Sequence, residues 1–305
     1  MPGAERGEGG AVRARAGFRT PALPLSDGLP LVHGELSPED QREFAALKNQ
    51  ICRRIGFYGD GYKEKCLRRR LAVRMRACGV HRYADYAALL EADVAEYARL
   101  LDAITINVTK FFRNAEVWEA LRRHVVPALF ELPVPQVRLW SAGTASGEEA
   151  YSLAILLLEH AEREGCTARL RDFRVLATDI DRKALDAARR AEYRELAFSE
   201  TPDAVRERWF ERQGGWRPRR EVRELVEFRP HDLIMEPYPA RQHLILCRNV
   251  IIYFERVVQT TVFERFREAL VPSGFLVLGK VESMLGGPAA AFEPVSQRDR
   301  VFRKR

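Results

Sequence analysis

Apolar residues recur along the chain in two rhythms, and the change from one to the other divides it. Over Leu36–Gly56, Phe44, Leu47, Ile51 and Ile55 fall at helical spacing, behind Ser37 as a cap and Pro38 at the first helical position, and Gly56 ends the run. Over Tyr62–Cys78, Leu67, Leu71 and Met75 form an i, i+4, i+8 stripe, and two more helices are predicted over Tyr83–Leu90 and from Asp93 to about Ile104. These four helices predict a small all-helical module. Further on, apolar residues gather into continuous runs at Val137–Ala142, Asp172–Asp181 and His243–Phe254, which read as buried strands. Helical stretches separate them, at Glu116–Phe130, from Glu148 onward, at Arg182–Ala191 and at about Val257–Leu270. A fourth strand lies in PSGFLVLGKVES, and Phe292–Val295 with Arg300–Arg303 predicts a closing antiparallel pair. Alternation of this kind predicts one open α/β sheet.

Polar residues cluster where these strands end. In RLWSAGTASGEEAYSLAILLL (Arg138–Leu158), Gly143 and Gly147 let the backbone turn and approach a ligand, and Glu148 and Glu149 open the next helix. Carboxylates there, with no lysine and no GxGxxG spacing, argue against a phosphate cradle and for a cationic or hydroxyl-rich ligand. An ordinary strand-to-helix turn is the plain alternative. The second strand ends in Asp179 and Asp181; Asp181 suits a helix cap, which leaves Asp179 for ribose hydroxyls. Asp232 follows the strand-like FRPHDL, and the third strand ends at Arg248 and Asn249. Between the two modules, ITINVTKFFRN (Ile104–Asn114) places Asn107, Thr109 and Arg113 among β-branched and aromatic residues. A helix cap with Phe111 and Phe112 as core explains the aromatics but not Arg113. RQGGWRPRREVRELVEF predicts a short inserted hairpin.

Composition narrows the class. The 305 residues are 46% hydrophobic and 30% charged, as in a globular protein. No apolar run nears the roughly 18 residues of a membrane span, and MPGAERGEGGAVRARAG lacks the apolar core of a secretory signal, so a cytoplasmic location is expected. Residues 1–35, rich in Gly, Pro, Ala and Arg, are expected to be a mobile tail. Five cysteines without CxxC spacing predict neither a disulfide framework nor a metal site. The net charge of +7 is concentrated: Lys63, Lys65, Arg68, Arg69, Arg70, Arg74 and Arg76 stand on one predicted helix against Glu64 alone. A merely solvated face usually mixes signs, so this one reads as a docking surface for an acidic partner. Nucleic acid would fit the charge, but no aromatic residue interleaves with the arginines.

In INVTKFFRN, LWSAGTASGEEAYSLA, LATDIDRKALDAA, FRPHDL, CRNVIIYF and FLVLGKVES, in that order, the chain resembles the CheR family of chemotaxis receptor glutamate O-methyltransferases, over about residues 37–303. The resemblance implies a class I S-adenosylmethionine-dependent methyltransferase domain of Rossmann-like α/β fold over 107–305. It also implies a small antiparallel β-subdomain inserted at about 212–228 and an all-helical N-terminal domain at 36–106. It implies S-adenosylmethionine as cofactor, S-adenosylhomocysteine as product and no metal. The family's cofactor contacts carry over onto Asn107, Thr109, Arg113, Glu149, Asp179, Asp232, Leu233, Asn249 and Val250, with Gly143 as the backbone's approach. Arg113 and Tyr253 stand where a substrate carboxylate would be oriented. That carboxylate, with a reference pKa near 4.3, is already ionised at neutral pH and needs no general base. Alignment at about 3 to 3.5 Å from the methyl and exclusion of water remain as the enzyme's task. The implied partner is the cytoplasmic domain of methyl-accepting chemotaxis receptors, with Lys65, Arg68, Arg69, Arg70, Arg74 and Arg76 as docking residues. The chain is expected to be a monomer, to use no nucleic acid and not to enter the membrane.

Three departures stand out. Asp232 replaces the usual asparagine, GKVES replaces the more usual GHSE, and the hairpin looks short for a subdomain that grips a receptor tail, so tail-independent recognition is expected. The competing readings are a methyltransferase of RNA or of another protein, and a non-catalytic sensor that binds the cofactor.

Overall fold

The computed structural model describes residues 36–105, 107–284 and 286–305; the tail expected at 1–35 lies outside them. The N-terminal module consists of α1 (Pro38–Ile55), α2 (Glu64–Ala77), α3 (Tyr83–Ala92) and α4 (Val94–Ile104). Ser37 Oγ accepts from Asp40 N at 3.1 Å, and Gly56 leaves α1 in the left-handed region, its N–H bonded to Cys52 O. The apolar stripes meet inside, with Leu47, Leu71, Met75, Tyr86 and Leu100 fully buried. No helix among the described residues is long and apolar enough to cross a membrane.

The helix expected at Glu116–Phe130 is α5 (Ala115–Ala120), a π turn over Leu121–Val125, and α6 (Val126–Phe130). The chain then runs through β1 (Val137–Ala142), α7 (Glu148–Arg163), β2 (Phe173–Asp179), α8 (Arg182–Arg190) and α9 (Asp203–Trp209). Next come β3 (Phe210–Gln213), β4 (Gly215–Pro218), α10 (Arg220–Glu224), β5 (Val226–Pro230) and β6 (Gln242–Cys247). It closes with α11 (Arg256–Ala269), β7 (Leu270–Leu278), β8 (Phe292–Ser296) and β9 (Val301–Lys304). One seven-stranded sheet has the order β5-β2-β1-β6-β7-β9-β8; β5 to β7 are parallel, and β9 is antiparallel to both its neighbours. Alternate residues of each strand face two separate cores. Leu139, Val175 and Leu246 pack under α7, and Trp140, Ile245 and Leu276 pack with Phe263 and Phe266 of α11.

The inserted element is smaller than the sequence suggested. Only β3 and β4 form the hairpin, at 210–218. Val226–Pro230, counted within the insertion at 212–228, instead pairs in parallel with β2 as the edge of the main sheet. Its burial alternates, as suits an edge strand, so it lacked the continuous apolar run of the central ones.

Chain direction reverses its spread across the sheet between β1 and β6, and ligands of such sheets sit at the carboxyl ends beside that switch point. The loops after β1, β2, β5 and β6 converge there.

Candidate functional site

The first of these loops is built around glycine. Gly143 has φ +81°, and a Cβ on it would collide with Val250 Cγ2; Gly147 has φ +93°, and a Cβ there would lie 2.9 Å from Ala188 Cβ. Gly143 N and Thr144 N both donate to Thr178 O, at 2.8 and 2.9 Å, which pins the loop to the end of β2.

Asp179 holds the same loop from its side. Its carboxylate accepts from Ala145 N at 2.8 Å and from Asp181 N at 2.9 Å. The aspartate expected to be free for a ligand is therefore engaged at one lone pair of each oxygen, because the loop's orphan N–H groups lie within its reach. Burial pushes its pKa up to about 6. Asp181 caps α8 as expected, accepting from Lys183 N and Ala184 N, and also takes Thr105 Oγ1 at 2.8 Å and Asn107 Nδ2 at 2.6 Å.

Of the two glutamates opening α7, Glu149 lines the cleft and Glu148 does not. Glu149 Oε1 accepts from Ser141 Oγ at 2.9 Å, and its Oε2 lies 3.4 Å from Arg248 Nη1. Burial raises its pKa and Arg248 opposes the rise. Glu148 turns to Ser146 Oγ, and burial lifts its carboxyl to about 7.

Arg248, placed at a strand end by the sequence but given no role there, ties the site together. It donates through Nη2 to Arg113 O at 2.8 Å and to Asn114 Oδ1 at 3.1 Å, and its guanidinium lies 5.6 Å from the Trp118 ring centre. Asn114 makes no side-chain cap for α5, so the capping alternative fails there. Phe111 and Phe112 are core, as that alternative held. Arg113 itself donates through Nη1 to Val108 O at 2.9 Å. Asp232 spends Oδ1 on Ile234 N and Met235 N, at 2.7 and 3.2 Å, and Leu233 is buried behind it.

These loops line one cleft. Asn107, Thr109, Arg113, Gly143, Glu149, Asp179, Asp232, Leu233, Asn249, Val250 and Tyr253 all line it. Tyr62, Ile104 and Thr105 complete the wall from the helical module. Tyr62 stands edge-on to Phe254, ring centres 5.1 Å apart, and Lys63 donates through N to Tyr253 O and through Nζ to Ile252 O, both at 2.8 Å. An aromatic at the start of a basic segment carried no sequence signal for such a role.

The cleft suits a ligand that is apolar along its walls and polar at fixed points. Thr144 Oγ1, Asn249 Oδ1, His231 Nδ1 and Arg248 Nε, all on cleft-lining residues, are buried without a protein partner. Two buried carboxylates, at the ends of β1's loop and of β2, offer acceptors for an ammonium and for hydroxyl groups. S-adenosylmethionine carries both, so these acceptors fit it.

The docking residues expected on α2 divide. Lys65, Arg69 and Arg76 are exposed and Arg70 is half-buried. Arg74 turns inward, bidentate on Glu96 through Nε and Nη2, both at 2.8 Å, while Glu96 is 1% exposed. Arg68 lies 3.8 Å from Glu64 with its own side chain only 12% exposed. Both leave the docking set, because they stand directly beside Leu67 and Met75 of the buried stripe, where α2 turns towards the module.

A family model described as the CheR methyltransferase S-adenosylmethionine-binding domain matches residues 107–301, and one described as the CheR all-alpha domain matches residues 42–105. The chemotaxis protein methyltransferase of Listeria innocua is 31% identical over 249 residues, which cover 81% of this chain and 92% of that one. The probable chemotaxis protein methyltransferase of Rhizobium etli is 32% identical over 250 residues, 79% of this chain and 92% of that one. The Escherichia coli chemotaxis protein methyltransferase is 32% identical over 249 residues, 79% and 84% of the two chains. The chain belongs to the CheR family of S-adenosylmethionine-dependent methyltransferases.

Proposed function

We propose that the chain is a protein-glutamate O-methyltransferase that converts glutamate side chains of methyl-accepting chemotaxis receptors into methyl esters. The observation that carries this reading is the arginine cluster at the Tyr253 end of the cleft. Burial raises the Tyr253 pKa, while Arg70, Arg113 and Arg69 all pull it back, which puts three guanidinium groups within electrostatic reach of one phenol. An anionic substrate is drawn to that end, and the relatives named above are chemotaxis methyltransferases.

Bound S-adenosylmethionine supplies an electrophilic methyl on a positively charged sulfur. Glu149 would hold the ammonium of its amino-acid end, Asp179 its ribose hydroxyls, and Asp232 and Leu233 would flank its adenosine. The substrate glutamate needs no proton removed. Arg113 orients its carboxylate, Tyr253 walls it, and Val250, Ile252 and Phe254 keep water out. The ester product removes one negative charge from the receptor surface.

Lys65, Arg69 and Arg76, with Arg70 at the cleft side, form the docking face for an acidic receptor helix bundle. The four-residue strands of the hairpin favour recognition independent of a receptor tail. Tight calorimetric binding of a receptor C-terminal pentapeptide would overturn that part. We place the activity in the cytoplasm, on a monomer. Transfer from methyl-labelled cofactor to a receptor cytoplasmic domain tests the whole: base-labile label supports it. Base-stable label points to another target, and cofactor binding without transfer points to a sensor.

A further inference from the structure

The turn after β6 carries Asn249, Val250, Ile252 and Tyr253 to the cleft, yet it belongs to no strand, and its 3-10 turn is only three residues long. Its backbone N–H groups have no ladder to join. They converge instead on one side chain. Glu282 Oε2 accepts from Asn249 N at 3.0 Å, and Oε1 accepts from Val250 N at 2.9 Å, Ile251 N at 2.8 Å and Ile252 N at 3.4 Å. Gly279 N adds a bond to Oε2 at 2.6 Å. Glu282 is 3% exposed. A carboxylate buried so deeply persists only where such donors replace water.

The neighbouring backbone is shaped around this contact. Asn249 adopts φ +64°, and its Oδ1 is buried without a partner. A Cβ on Gly279 would lie 2.8 Å from Asn249 N and 2.8 Å from Glu282 Oε2, so the clamp leaves no room for a side chain there.

We propose that Glu282 is a positioning residue: its carboxylate fixes the peptide planes of Asn249 to Ile252, and so sets where Asn249, Val250 and Tyr253 stand along the cleft. It touches no substrate itself. The inference rests on the reading of this cleft as the S-adenosylmethionine site. Glutamine at 282 keeps the volume but turns an amide NH₂ towards backbone N–H donors, so the turn must shift to relieve two donors facing one another. Displacements of an ångström at positioning groups are enough to change function strongly.

The test is calorimetric binding of S-adenosylhomocysteine to the full chain, to Glu282→Gln and to Gly279→Ala, each well below its melting midpoint. A roughly tenfold or larger loss of affinity in the folded variants is the expected result. Affinity within about twofold of the wild type in a folded variant overturns the proposal, since an acid that only stabilises the fold would lower the midpoint and leave affinity unchanged. If Glu282→Gln does not fold, Gly279→Ala decides. Failure of both to fold makes Glu282 a folding determinant and overturns the positioning role. A wild type that binds no S-adenosylhomocysteine overturns the cofactor reading itself, and this role with it.

Discussion

Arg248 and Glu149 form an ion pair, Nη1 to Oε2 at 3.4 Å, with side chains 2% and 11% exposed. It joins the end of β6 to the start of α7 across the switch point of the sheet. Removing one member leaves the other charge buried and unpaired, which typically costs about 3 to 5 kcal/mol. Arg248→Met should therefore lower stability by about that amount in urea unfolding. Adding Glu149→Gln should restore part of the loss while leaving S-adenosylhomocysteine binding weak. Full recovery of binding in the double variant would count against Glu149 as a cofactor contact.

Two glycines with similar backbones should respond differently to alanine. Gly56 has φ +68° with open space around it, so Gly56→Ala should cost roughly 1 kcal/mol of stability and leave cofactor affinity alone. Gly143→Ala drives a methyl into Val250 inside the cleft and should abolish cofactor binding. Equal calorimetric affinities for the two variants would refute this.

The arginines of α2 should separate into two phenotypes. Arg74→Ala removes the bidentate partner of the buried Glu96, leaving it Arg99 and Tyr86, and should lower the melting midpoint. The pair Arg69→Glu and Arg76→Glu should leave the midpoint near the wild-type value but reduce receptor methylation, most strongly at low salt. Unchanged methylation across salt concentrations would remove the docking role.

Glu148 gives a pH signature. Burial raises its pKa in the folded state to about 7, from an unfolded value near 4.3. A carboxyl raised on folding binds more protons folded than unfolded between those values, so its contribution to stability falls as pH rises across that window. Glu148→Gln removes the titration. Relative to wild type, the variant should gain stability from pH 5 to pH 8, read as the difference between the two melting midpoints; a difference that stays flat would refute it.

The strands, the four-helix module and the gathering of polar residues at strand ends were legible because each has a local cause: an apolar period, a cap, a glycine at a positive φ. Asp181 as the cap of α8 follows from its place just before that helix, whereas Glu149 rather than Glu148 at the cleft was implied by the family resemblance. What could not be read depends on residues far apart in the chain. Asp179 was open to a ligand on paper because the loop that occupies it lies 34 residues away. Arg74 resembled its exposed neighbours until Glu96 came round on α4. Val226–Pro230 has a half-polar face, as an edge strand does, and so read as part of the hairpin.

Tyr62 gives the two modules a common wall. Gly61 O accepts from Glu255 N at 2.8 Å, and Tyr62 bridges Phe254 in antiparallel fashion, so residues 61–63 are stitched to the turn that bears Tyr253. The helical module is thus not an interchangeable cassette. A chimera joined at residue 107 would take Tyr62, Ile104 and Thr105 of the cleft wall from one parent and the rest of that wall from the other. Such exchanges should preserve activity only when the 61–63 seam and the 252–255 turn come from the same parent.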